Sequence, residues 1–72
     1  MSKAEMKYII ARLLDNANDC VEDAKENPGS EFFDGKKLAY YEMLDTIKNE
    51  LIAHDDDIKE FGLDINLEKK LL

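Results

Sequence analysis

The chain reads as an all-α protein, an antiparallel two-helix hairpin with a short C-terminal tail that dimerises into a four-helix bundle. Two apolar rows and the breaker between them predict it. Met6, Ile10, Leu13, Ala17, Cys20 and Ala24 advance by fours and threes along the first half. Tyr40, Leu44, Ile47, Leu51, His54, Ile58 and Phe61 repeat that spacing beyond Asn27-Pro28-Gly29-Ser30. Such a row lies on one side of a helix and is stable only when another helix covers it. Size is the further observation. A domain of 72 residues buries only about 60% of the surface its unfolded chain exposes. Cys20 is the single cysteine and cannot form an intrachain disulfide, so a second copy is the expected stabiliser.

One helical domain is expected over residues 1–72. Helix 1 starts at a capping box, Ser2 followed three residues later by Glu5, and runs over about 3–26. Ile9, Leu14 and Val21 flank its main row and widen the apolar face beyond what one facing helix covers. Pro28 disfavours helical backbone at Asn27, and Gly29 tolerates positive φ, so residues 27–34 form the turn. Phe32 and Phe33 close that end of the core. Ser30 and Asp34 are alternative caps for helix 2, and Gly35 weakens its first turn in either case.

Helix 2 is expected over about 35–61 with Gly62 as its stop, although Asp55-Asp56-Asp57 are poor helix formers and mark a point of weakness. The tail, residues 62–72, alternates apolar and polar through Leu63, Ile65 and Leu67, and Glu68–Leu72 suits one last helical turn. With no sheet to join, the tail is expected to lie across the bundle on a row formed by Leu38, Tyr41 and Ile52, either of its own chain or of the dimer mate.

Charge supports the antiparallel pairing. Residues 1–14 carry Lys3, Lys7 and Arg12 against Glu5, whereas residues 15–34 carry seven acids against Lys25 alone. Pairing the helices antiparallel sets Lys36 and Lys37 beside those acids and the basic start beside Asp55, Asp56 and Asp57. Each exposed pair is worth only about 0.2–1 kcal/mol, so the pattern selects orientation more than stability. The net charge of −7 argues against direct nucleic-acid binding. No stretch approaches the ~20 apolar residues that cross a bilayer, and charges at Glu5, Lys7 and Arg12 replace the core of a signal peptide. A cytoplasmic location without membrane contact is expected, with Cys20 behaving as a small hydrophobe in a reducing compartment.

No constellation meets the requirements of a catalytic or ligand site. Gly35-Lys36-Lys37 lacks the earlier glycine and the following Ser or Thr of a phosphate loop. Loops starting at Asp15 or Asp55 lack the ligand pattern for calcium. Glu50, His54 and Asp57 would share a face on a continuous helix, but Glu50 is one residue too far from His54 for the di-iron bundle pattern. No metal or cofactor is therefore expected, nor catalysis, since one His and one Cys fall on different helices.

The residues expected to build the core and dimer contact are Met6, Ile10, Leu13, Ala17, Tyr40, Leu44, Ile47, Leu51, Ile58 and Phe61. Candidates for contact with another protein are Tyr8, Tyr41, Leu63, Ile65 and Leu67, because exposed aromatic and large apolar side chains often anchor partners. The expected function is a non-enzymatic interaction or regulatory module. In size and architecture it resembles the Rop-like plasmid regulators, without the basic face of an RNA binder. The alternative is an acidic inhibitor or immunity-type protein directed at a basic enzyme or DNA-binding protein. At two positions, Tyr40-Tyr41, it resembles the tyrosine pair of bacteriocin immunity proteins; the flanking residues differ.

Overall fold

The computed structural model describes all 72 residues, Met1–Leu72. Two long helices and a short third follow in the order α1 (Lys3–Glu26), α2 (Glu31–Ala53) and α3 (Leu67–Leu71), with no strand. The capping box forms at the start of α1. Ser2 Oγ accepts the Glu5 N–H at 3.1 Å, and Glu5 Oε1 accepts the Ser2 N–H at 3.1 Å. Those bonds from Ser2 hold the Glu5 carboxyl below its ordinary range. At the other end, Asn27 donates from its backbone and its side-chain amide to the Asp23 carbonyl. Gly29 then turns the chain at φ +83°, a backbone state in which an L side chain is strained.

Helix α2 begins earlier than its pattern suggests. Ser30 is the cap, accepting the Phe33 N–H at 3.4 Å, and Asp34 already donates its N–H to the Ser30 carbonyl. The turn therefore occupies 27–30 rather than 27–34, and Gly35 lies inside the helix. Its C-terminal limit is also corrected, from about Phe61 to Ala53. Asp55 adopts φ +59°, the Asp55 N–H donates to Ile52 O at 3.1 Å, and the Asp56 N–H reaches Leu51 O at 2.9 Å. This Schellman arrangement satisfies the last carbonyls and stops the helix. Aspartate is among the few residues other than glycine that enter left-handed backbone. His54, placed on the apolar row by spacing alone, is instead the exposed C-cap.

Beyond Asp56 the chain folds back in tight turns, in which Glu60, Phe61 and Gly62 donate to Asp57, Ile58 and Lys59. Gly62, at φ +72°, ends these turns rather than α2. Ile58 and Phe61 thus reach the core from a reversing segment. The core contains Ile10, Ala17, Leu44, Leu51, Phe61, Leu63, Leu67 and Leu71, with Met6, Leu13, Leu14, Val21, Tyr40, Tyr41, Ile47, Ile58 and Ile65 packed against it. The tail therefore supplies Leu63, Leu67 and Leu71 to the molecule's own interior. It fills the groove between α1 and α2 instead of lying on the outer row, where Leu38 and Ile52 remain exposed and only Tyr41 is half-buried. Lys48 pins it by donating to the Ile65 carbonyl at 2.7 Å.

The basic start of α1 meets the chain reversal as charge patterning implies, with Glu60 as the partner in place of the three aspartates. Lys3 Nζ lies 2.7 Å from Glu60 and Lys7 Nζ 3.9 Å. The hydrogen bond and charge of Lys3 lower the Glu60 carboxyl, and the same contact raises the Lys3 ammonium. No helix is long and apolar enough to cross a membrane.

Candidate interaction surface

The tail divides the hairpin into a covered face and an open one. On the covered face Gly62 approaches Leu14, where an added Cβ would stand 3.9 Å from Leu14 Cδ1. Tyr41, Asp45 and Lys48 line a groove with Asp64, Ile65, Asn66, Leu67 and Glu68. Burial raises the Tyr41 phenol, with Asp45 and Glu68 adding to the effect. The widened flank of α1, Leu14 and Val21, is thus covered by the chain's own tail, so width on that side does not call for a second copy.

The opposite face has no such cover. At its far end Met6, Ile47 and Leu51 line a groove with Glu50, His54 and Asp56; toward the turn Asn16, Asp19, Cys20, Asp23, Lys36 and Tyr40 line another. No tail residue enters either groove. Between them stand Ile9, Leu13 and Met43, for Met43 follows Tyr40 by three and precedes Ile47 by four, and Ile9 precedes Leu13 by four. Ile9 and Met43 are 41% and 45% exposed, while Met6, Leu13, Tyr40 and Ile47 are half-buried. This is an apolar strip running along both helices. Met43 is the member that the heptad row overlooked, although its offset from Tyr40 and Ile47 made it legible.

Of the residues expected to form the core and dimer contact, Ile10, Ala17, Leu44, Leu51 and Phe61 belong to the single-chain core. Met6, Leu13, Tyr40, Ile47 and Ile58 are half-buried at its margin. The expected partner contacts divide differently. Tyr8 is exposed at 67%. Tyr41 and Ile65 are half-buried beneath or within the tail, and Leu63 and Leu67 are fully enclosed, which removes these two as free contacts.

Polar groups on the open face are sparsely paired. Lys36 Nζ stands 5.7 Å from the centre of the Phe32 ring and has no carboxylate within ion-pair distance. Glu50 has no Lys or Arg within ion-pair distance, and the His54 ring lies 4.0 Å from its carboxylate. His54 Nδ1 lies 2.8 Å from the Glu50 carbonyl. Because α2 ends at Ala53, Asp57 does not share a helical face with Glu50 and His54, and no three His, Cys, Asp or Glu side chains gather in a way that could hold a metal ion. At the turn end the tail sets Lys69 and Lys70 beside Lys25 and Lys37 around a cleft with Leu71. That basic group interrupts the acidic half of α1. No family model, curated protein or solved structure matches the chain.

Proposed function

We propose that the protein is a non-enzymatic helical interaction module that works as a cytoplasmic homodimer, a four-helix bundle built from two hairpins. The observation that carries this reading is the uncovered apolar strip of Met6, Ile9, Leu13, Tyr40, Met43 and Ile47, opposite a face that the tail has already closed. A domain of this size gains most by covering such a strip with a second apolar strip. Regulation would then act through the helical surface that remains outside the bundle, where Tyr8 stands exposed. The reading as an acidic inhibitor draws less support, because Lys25, Lys37, Lys69 and Lys70 break the continuity of negative charge it requires.

Light scattering on the protein and on Met43→Glu tests the reading. The expected result is a dimer for the unaltered chain and a helical monomer for the variant, since Met43 lies outside the single-chain core. A helical monomer at micromolar concentration for the unaltered chain would overturn it.

A further inference from the structure

Helix α2 carries on its open face a sequence that is chemically self-complementary about Met43. Lys36 lies seven residues before Met43 and Glu50 seven after; Phe32 lies eleven before and His54 eleven after. Steps of seven and eleven both return to nearly the same side of a helix. All five positions therefore follow one strip, and the exposure of Phe32 (65%) and Met43 (45%) shows that nothing in the chain covers it. Lys36 and Glu50 have opposite charge and no Lys–carboxylate partner within their own chain.

From this we infer that the second copy docks with its turn at the opposite end, α2 antiparallel to α2, on a two-fold axis that passes Met43. The inference rests on the homodimer reading and adds the face, the register and the polarity. A two-fold interface is self-complementary, so a residue at a given distance on one side of the axis meets the one at the same distance on the other. Lys36 of each copy then meets the partner's Glu50, Phe32 meets the partner's His54, and Met43 meets its own counterpart. Leu13 of α1, level with Met43 across the hairpin, lies close to the same axis.

The other two-fold arrangement, with both turns at one end, lays α2 over the partner's α1. It brings Glu50 level with the partner's Glu5, like charge against like, and leaves Met43 over α1. That arrangement also sets Lys36 level with the partner's Asp19 and the partner's Asp23, residues that line one groove with Lys36 within the hairpin, so its attractive and repulsive pairs offset. Opposed turns make two attractive pairs and set no like charges of this strip against each other, and such pairs fix orientation and register more than affinity.

The test uses the full chain with Cys20→Ala and one new cysteine at a time. Met43→Cys should cross-link efficiently to a covalent dimer with a short bismaleimide, which spans the 8–10 Å between packed helix axes. Leu38→Cys, on the tail side, should not. Lys36→Glu should raise the dimer dissociation constant about 2- to 30-fold, from two exposed pairs per dimer, and Lys36→Glu with Glu50→Lys should restore it. A dimer that fails to cross-link at position 43, or that cross-links there only to a Leu13→Cys copy, overturns the register while leaving the homodimer reading intact. Failure of the charge exchange to restore affinity does the same. A chain that stays monomeric overturns both.

Discussion

Leu63→Ala isolates the tail's contribution to the fold. Leu63 is 0% exposed and sits where the reversing segment enters the groove between α1 and α2, its N–H bonded to the Ile58 carbonyl at 2.9 Å. Truncation removes buried methyl groups and leaves a cavity that the neighbours fill only in part, a loss of about 2–5 kcal/mol. At about 0.05–0.15 kcal/mol per residue, 72 residues give a total stability of about 4–11 kcal/mol. One substitution thus removes a large fraction of the total. Thermal unfolding followed by circular dichroism should show a fall in Tm of at least about 8 °C, since each kcal/mol is worth about 4–8 °C in a domain of this size. Leu72→Ala is the control from the same tail. Leu72 is 53% exposed, so its loss should change stability by no more than about 0.5 kcal/mol. Equal melting of Leu63→Ala and the unaltered protein would refute the packed tail.

The remaining predictions concern backbone, tether and pH. Gly35→Ala should stabilise α2 by about 0.5–1 kcal/mol because Gly35 lies within the helix with nothing within 4 Å of an added Cβ. Gly29→Ala, equally open but at φ +83°, should destabilise by about 1 kcal/mol; denaturant midpoints distinguish the two signs. Lys48→Met removes the donor that holds the Ile65 carbonyl, and should cost about 1 kcal/mol while amide exchange quickens across residues 63–71. The Glu60 and Glu5 carboxyls are lowered in the folded state, so the stability they contribute is present above the unfolded value of about 4.3 and is lost as pH falls through the folded one. Glu60→Gln should therefore flatten the acid limb of a plot of Tm against pH; an unchanged limb would assign acid sensitivity to other carboxylates.

Periodicity made α1 and most of the core legible because local geometry and tertiary packing agree there. Ser2 and Glu5 cap where their spacing requires, and Ile10, Ala17, Leu44 and Leu51 face inward as the four-three step dictates. The end of α2 was obscured because Ile58 and Phe61 stay in register with the row after the helix has stopped. Their apolar character serves a chain reversal that spacing cannot tell from a helix. What decides the matter is Asp55 in left-handed backbone, and only the neighbouring run of aspartates hinted at it. The alternation of Leu63, Ile65 and Leu67 pointed to a tail that packs, yet it made the same residues candidates for contact with another protein, and only the structure encloses Leu63 and Leu67. The tail's site was not legible, because the groove it fills is made by the packing of α1 on α2, whereas the row of Leu38 and Ile52 on the outer side of α2 stays exposed. The open face was half legible. The heptad rows named Met6, Leu13, Tyr40 and Ile47, but which side of them remains free depends on where the tail lies.

Sedimentation equilibrium of the unaltered chain over an about hundredfold concentration range tests the central claim most directly, since a stable second copy makes mass depend on concentration in a defined way. A monomer–dimer equilibrium that reaches twice the chain mass, with thermal stability rising alongside it, is the predicted result. A single species of monomer mass across the whole range, fully helical and melting at one temperature, would contradict the account.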